Sequence, residues 1–143
     1  MTTITRSALV AYSAEQMFDL VNDIESYPSF MHGCKSARVI SRSDTELVGE
    51  LALAKAGINH SFTTRNTLDR PRQIEMQLVE GGFSSFHALW TFTALNDEAC
   101  EVSLVMEFEY KLGLLRFAAE QLFNSSANKL VDALVRRANK VYG

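Results

Sequence analysis

The last part of the chain, roughly Leu114 to Tyr142, carries apolar residues at spacings of three and four. The recurring apolar positions are Leu115, Ala119, Phe123, Ala127, Leu130, Leu134, Ala138 and Val141. This spacing predicts one long amphipathic helix, and a helix of about 27 residues is ~40 Å long. Because such an apolar stripe is not stable in water on a lone helix, we expect it to lie across a sheet.

Between Cys34 and Tyr110 the apolar period is two. The sets that share one parity are Leu47, Gly49, Leu51 and Leu53; Ile74, Met76 and Leu78; Ala88, Trp90, Phe92 and Ala94; and Val102, Leu104, Met106 and Phe108. Such alternation predicts half-buried antiparallel strands with one wet face. Turn signals at 43–44, 56–57, 69–71, 81–82 and 96–97 separate them, so we expect six strands in a meander.

The segment before this meander predicts one strand and two short helices. Thr3 to Ala11 is typical of a strand, and Ser13 with Gln16 forms a capping-box pattern that begins a helix. This helix should end near 22–23, and 26–31 should form one helical turn, since proline is tolerated in a first turn. The predicted order is β-α-α-β6-α, an α+β fold. Where a twisted sheet and a straight helix diverge, inward side chains would line a cavity.

Composition limits the class of protein. The 143 residues suit a single domain, 1–143, and 47% hydrophobic with 22% charged residues are ordinary values for a globular protein. The net charge of −3 excludes a global basic field that would draw the chain onto nucleic acid. Two cysteines are too few for a disulfide scaffold, and neither a signal peptide nor a membrane span is evident. We therefore expect a reduced, cytoplasmic, soluble domain.

Several segments resemble one known family. They are Ser7–Phe18, Leu20–Phe30 with its Val-Asn-Asp-x-x-x-Tyr-Pro-x-Phe stretch, Lys55–Ile58, Phe62–Asn66 and Trp90–Phe92. They are similar to the START-like (helix-grip) superfamily, and within it to the bacterial ribosome association toxin and coenzyme Q-binding protein family. Some members are labelled oligoketide (polyketide) cyclases or lipid transport proteins. The resemblance implies a seven-stranded antiparallel sheet wrapped around a long C-terminal helix.

The resemblance also implies two roles from different classes. One is non-enzymatic binding of ubiquinone or another polyprenyl lipid in the cavity between sheet and helix, linked to respiration. The alternative is binding to the large ribosomal subunit so that subunit joining is blocked. A polyketide cyclase-type enzyme is a more distant third reading.

Apolar side chains on the inner face are the candidate ligand-binding residues. They are Phe62, Phe83, Trp90, Phe92, Leu104, Met106 and Phe108 on the sheet, Leu115, Ala119, Leu122 and Phe123 on the helix, and Tyr27 and Phe30 at the cavity mouth. A filled core would show the same pattern, so both interpretations stay open. Arg65 could orient a ligand carbonyl or face solvent, since parity does not assign its face.

A local basic cluster occurs near the C-terminus in this acidic chain. Lys129, Arg136, Arg137 and Lys140 are accompanied after position 128 by a single acid, Asp132. They could compensate the helix dipole, or they could contact ribosomal RNA.

Metal binding and catalysis have little support in the sequence. His32-Gly33-Cys34 offers two ligand types where structural zinc needs about four ligands, and no nucleophile-elbow setting is present. We expect no catalytic residue, no metal and no cofactor beyond a bound lipid. We expect no DNA partner.

Overall fold

The computed structural model describes residues 1–111 and 116–143, which form one sheet flanked by helices. The strands are β1 (Thr2–Val10), β2 (Cys34–Arg42), β3 (Glu46–Lys55), β4 (Ile58–Asp69), β5 (Gln73–Glu80), β6 (Phe83–Asn96) and β7 (Ala99–Tyr110). The helices are α1 (Ala14–Asn22), a 3₁₀ helix (Ile24–Ser29) and α2 (Arg116–Tyr142). The predicted α+β class and order are confirmed, with strand and helix ends within a few residues of those expected.

The sheet is a seven-stranded antiparallel meander closed at one side by the first strand. Its order is β1-β7-β6-β5-β4-β3-β2. Strands β2 to β7 follow one another through the predicted turns, and β1 pairs with β7 along its whole length, from Thr2 opposite Phe108 to Val10 opposite Cys100. The first strand thus extends the sheet beyond β7, and the two edge strands of the sheet are β1 and β2.

The period-two pattern places one face of the sheet in the core. In β7 every second residue from Cys100 to Tyr110 is buried, while Glu101, Glu107 and Glu109 are exposed. In β6 Trp90 and Phe92 are both buried and their rings stack nearly parallel. Trp90 lies opposite Leu104 in the register, so side chains of neighbouring strands build one continuous apolar surface.

The capping box begins α1 as predicted. The Ser13 backbone N–H donates to Gln16 Oε1 at 2.9 Å, and the Gln16 N–H donates to Ser13 Oγ at 3.1 Å. The following 3₁₀ helix packs closely on β3. A Cβ at Gly49 would lie 2.3 Å from Ile24 Cδ1, so only glycine leaves room for this approach.

Helix α2 buries its apolar stripe against the sheet. Phe123, Ala127, Leu130, Leu134 and Ala138 are all buried, which confirms the predicted stripe over these positions. The stripe ends before Val141, which is 48% exposed. Leu114 and Leu115, where the helix was predicted to begin, lie outside the described residues.

Truncating the α2 stripe should destabilise the fold. We expect Leu134→Ala to lower the free energy of unfolding by about 2–5 kcal/mol, because Leu134 is 1% exposed and its loss leaves a cavity. Val141→Ala on the same helix should change it by less than about 0.5 kcal/mol. Urea denaturation followed by circular dichroism measures both, and equal effects would contradict this packing.

Candidate functional site

The space between the sheet and α2 contains a small, largely apolar cavity. Five of the predicted ligand residues line it: Tyr27, Phe62, Trp90, Met106 and Phe123. Thirteen further lining residues were not among the predicted ligand residues. They are Val21, Asn22, Ile24, Met31, Gly49, Leu51, Thr64, Asn66, Ile74, Met76, Phe86, Ala127 and Leu130.

The volume of this cavity is about 40 Å³. Pockets that hold drug-sized ligands measure about 300–1,000 Å³, whereas a cavity of this size accommodates only one or two water molecules. In this conformation the inner face is therefore nearly filled by side chains, as in an ordinary core.

Three polar side chains interrupt the apolar wall. Thr64 Oγ1 donates a hydrogen bond to Asn66 Oδ1 at 2.8 Å, and both residues are 5% exposed. Asn22 Oδ1 is buried and accepts no hydrogen bond from the described residues. Buried polar atoms normally have partners, so an unpaired one in a cavity wall marks a place for water or a ligand group. The sequence could have indicated that Thr64 and Asn66 face the core, because they lie two and four positions after Phe62 in one strand and so point to the same face of the sheet.

The other predicted ligand residues that the structure describes do not line the cavity. Phe83, Phe92, Leu104, Phe108 and Leu122 are buried elsewhere in the core. The half-buried Ala119 uses its carbonyl to accept a hydrogen bond from the Tyr110 hydroxyl at 3.2 Å. Leu115 lies outside the described residues. The alternating pattern therefore predicted which residues are buried. It did not predict which of the buried residues line the cavity.

Arg65 is one of the candidate ligand residues but lies outside the cavity and faces solvent, which is the second of the two orientations that the sequence left open. Its side chain is 52% exposed, and Nε lies 3.6 Å from Glu46 Oε1. The reason is strand geometry. Thr64 and Asn66 face inward, so the residue between them faces outward.

His60 forms a buried pair with Tyr110 beside the aromatic core. His60 Nδ1 lies 3.1 Å from the Tyr110 hydroxyl, while its Nε2 has no partner among the described residues. Burial lowers the pKa of His60, so the ring is neutral at neutral pH. Neither residue lines the cavity, so this pair is not placed to act on a molecule held there.

A second concavity is an open, polar groove between the segment Pro28–His32 and α2, with a volume of about 350 Å³. We call it the basic groove. Its walls are Pro28, Ser29, Phe30, Met31 and His32 on one side and Lys129, Ala133 and Arg136 on the other. Phe30 thus belongs to this groove and not to the cavity. Burial is the main cause that lowers the pKa of His32, followed by Lys129 and Lys55.

The four predicted basic residues of α2 divide into two kinds. Lys129, Arg136 and Lys140 are exposed, and none forms an ion pair within residues 1–111 and 116–143. Arg137 is half-buried, and its guanidinium stands 5.6 Å from the centre of the Phe30 ring. Arg137 therefore does not belong to the exposed face that the other three residues form. A residue one position further along a helix points about 100° away.

The structure describes no metal-binding constellation. In the described ranges no group of three or more His, Cys, Asp or Glu residues could hold a metal ion. Cys34 and Cys100 are free and buried, and burial raises the pKa of each thiol to about 11. None of the described helices is both long and apolar enough to cross a membrane.

A long helix laid over a seven-stranded antiparallel sheet, with a cavity between them, defines a START-like domain. Residues 10–135 match the family described as polyketide cyclase/dehydrase and lipid transport, and the chain belongs to this family. A START superfamily protein from Mycobacterium smegmatis has the same fold. It is 21% identical, with a TM-score of 0.78 over 97% of this chain and 98% of that one.

Two curated relatives carry names from different functional classes. The chain is 43% identical to the ribosome association toxin RatA of Vibrio cholerae, over 100% of this chain and 99% of the relative. It is 22% identical to the mitochondrial coenzyme Q-binding protein COQ10 homolog B of Xenopus laevis, over 97% of this chain and 59% of that protein. The predicted family resemblance is confirmed.

The burial of neutral His60 predicts that acid destabilises the fold. The unfolded chain takes up a proton on this histidine near pH 6.5, whereas the folded protein resists protonation to a lower pH. Stability should therefore fall as pH decreases from 7 to 5. Urea unfolding at several pH values should show a smaller decrease for His60→Gln than for the unsubstituted protein. Identical pH dependences would contradict the assignment.

Proposed function

We propose that this chain is a non-enzymatic protein that binds the large ribosomal subunit through α2 and the basic groove. The observation that carries the proposal is the exposed basic face formed by Lys129, Arg136 and Lys140. The described residues offer these three cations no carboxylate partner, although the chain as a whole has a net charge of −3. Ribosomal RNA supplies phosphates that pair with such cations.

The contrast between the two concavities supports this assignment. The open groove is polar and basic, with a volume of about 350 Å³, whereas the apolar cavity measures about 40 Å³. The surface that is accessible without rearrangement is thus suited to an anionic partner. A relative that is 43% identical over the whole chain is named for association with the ribosome, which favours the same function.

The proposed mechanism is electrostatic docking followed by steric exclusion. Each lysine or arginine that meets a phosphate releases condensed counterions, so affinity falls as salt rises. A rigid domain held on the large subunit would then prevent the other subunit from joining. No bond needs to be made or broken.

Reversing the basic face should abolish this docking. In the variant Lys129→Glu, Arg136→Glu, Lys140→Glu each change replaces a positive with a negative charge at an exposed position, so the fold should be kept. We expect loss of co-sedimentation with purified large subunits at physiological salt, and a smaller salt dependence of any remaining binding.

The matched control reverses three exposed arginines elsewhere, Arg42→Glu, Arg65→Glu and Arg72→Glu. Their side chains are 55%, 52% and 73% exposed, and each lies within 4.0 Å of a carboxylate. This control has the same net charge as the test variant and should still co-sediment. Equal loss in both variants would show that net charge alone, and not this surface, governs binding.

A second candidate function is binding of an apolar molecule with a polar head, of the ubiquinone class, in the cavity. The observation that favours it is the set of Asn22, Thr64 and Asn66 within an otherwise apolar wall. On this proposal the polar side chains would form hydrogen bonds with the oxygens of the head group, and the aromatic side chains would pack against the ring of the head group. The cavity would have to enlarge on binding, since its present volume is about 40 Å³.

Trp90, the only tryptophan of the chain, lines the cavity and so reports directly on occupancy. We expect decylubiquinone to quench its fluorescence in a saturable manner. The double variant Thr64→Val, Asn66→Leu removes both hydrogen-bonding partners together, a change that is close to neutral for stability. It should weaken binding by roughly tenfold, since one unpaired polar group costs about 1–3 kcal/mol. Unchanged affinity would exclude this pair as the head-group site.

A further inference from the structure

The basic groove is a concavity between two walls that the fold holds in place. One wall, the segment Pro28–His32, continues into Gly33, whose carbonyl accepts a hydrogen bond from the Ala54 N–H at 2.9 Å. Within the segment, the Met31 N–H donates to the Tyr27 carbonyl at 2.8 Å. The other wall is α2, which packs on the sheet. The groove therefore exists before any partner binds.

The segment runs antiparallel to α2, as its contacts with the helix show. The guanidinium of Arg137 stands 5.6 Å from the centre of the Phe30 ring. Burial lowers the pKa of His32 most, and the nearby charge of Lys129 lowers it further. The Phe30 end of the groove thus faces the C-terminal part of α2, whereas the His32 end faces Lys129, two helical turns earlier.

Three cations form a row along the α2 wall. Lys129, Arg136 and Lys140 are separated by seven and four positions, so they share one face of the helix. Lys129 and Arg136 are about 10.5 Å apart along the helix axis, and Lys140 follows about 6 Å further on. All three side chains are exposed. Successive phosphates of a chain that follows the groove can therefore pair with successive cations.

The interior of the groove differs from this cationic rim. Ala133 and Met31 are 3% and 7% exposed and form an apolar floor. The half-buried Phe30 lines the groove, with its ring centre 5.2 Å from that of Tyr27. Ser29 adds an exposed hydroxyl. An apolar floor, an aromatic ring and a hydroxyl together suit a flat base with polar edges, which phosphate alone does not match.

We infer that the basic groove takes one unpaired nucleotide of RNA, with its base against Phe30 and its neighbouring phosphates on Lys129 and Arg136, an inference that rests on the proposed ribosome-binding function. A volume of about 350 Å³ lies in the range of sites for small organic molecules, so the groove can hold one nucleotide. In an RNA duplex the bases are stacked inside the helix, and only the backbone could reach the rim. Bases of loops and bulges leave the stack and pack on aromatic side chains.

Fluorescence anisotropy with two labelled RNAs tests this inference on the unsubstituted protein. One RNA is a short blunt duplex, and the other is the same duplex with a single unpaired adenosine. The two carry nearly the same phosphate charge, so counterion release contributes almost equally to both affinities. We expect the bulged duplex to bind roughly tenfold more tightly, as stacking of one base on an aromatic side chain predicts. Equal affinities would overturn the inference.

Variants of Phe30 test whether stacking causes the preference. Phe30→Leu keeps apolar bulk but lacks an aromatic face, so the bulged duplex should lose its advantage, whereas Phe30→Tyr should keep it. The matched control is Phe117→Leu, the same change at a 73% exposed aromatic residue of α2 outside the groove. Binding of the blunt duplex should stay the same in all three. An advantage that persists in Phe30→Leu contradicts the stacking role.

A further variant fills the groove and leaves its cations in place. Because Ser29 is exposed, Ser29→Leu should keep the fold while it places a bulky side chain in the groove. The preference for the bulged duplex should disappear, and Lys129 and Arg136 should still bind the blunt duplex. Circular dichroism checks the folding of every variant. If folded Ser29→Leu retains the preference, the base lies elsewhere and the inference is wrong.

Co-sedimentation with large subunits, measured in parallel, separates this inference from the proposed function. If the protein co-sediments but binds the two duplexes equally, the inference fails and the proposed function stands. If it prefers the bulged duplex through Phe30 but does not co-sediment, the proposed function fails and the groove remains a site for unpaired RNA. Adenosine monophosphate is the last comparison. If it competes as strongly as the bulged duplex, the groove takes free nucleotides and the assignment to RNA is wrong.

Discussion

The packing of α2 on the sheet is the interaction on which both concavities depend. Phe123 inserts its ring among aromatic residues of three strands, with centroid distances of 4.8 Å to Phe108, 5.0 Å to Phe83 and 5.6 Å to Phe62. Edge-to-face contacts of this kind add to the stabilisation from burial. They fix how α2 lies over the sheet, and hence which helix positions face the core. Because 3.6 residues make a turn, Leu130 faces the cavity while its neighbour Lys129 faces the groove.

The sequence predicted those features that depend on local spacing, and it did not predict those that depend on contacts between distant parts of the chain. Local patterns predicted these features: the period-two sets predicted β3, β5, β6 and β7, the spacing of three and four predicted the stripe of α2, and the Ser13–Gln16 motif predicted the capping box. The position of Arg65 could have been predicted from its neighbours Thr64 and Asn66, had Phe62 been used to set the parity. The half-buried state of Arg137 depends on Phe30, more than 100 residues away in the chain, and no local pattern encodes that contact.

Cavity size was beyond prediction for a different reason. The volume left between sheet and helix is the small difference between the space that the backbone encloses and the summed volume of many side chains. Trp90, Phe92 and Phe108 look equivalent in the sequence, yet only Trp90 among them lines the cavity. The polar trio of Asn22, Thr64 and Asn66 comes from α1 and one strand, so only the folded chain brings it to one space.

A nearly filled cavity changes how a ligand-binding fold can work. If the cavity must open before it binds, its apparent affinity is reduced by the fraction of molecules in which the wall is displaced. Substitutions of Phe30, which contacts Arg137 outside the cavity, would then raise ligand affinity without touching the ligand. Under the proposed function, substitutions of Lys129, Arg136 and Lys140 would change the docking on RNA and leave the cavity wall unchanged. One fold therefore presents two different surfaces, a largely apolar cavity beneath α2 and a cationic groove beside it, and substitutions can alter one without the other.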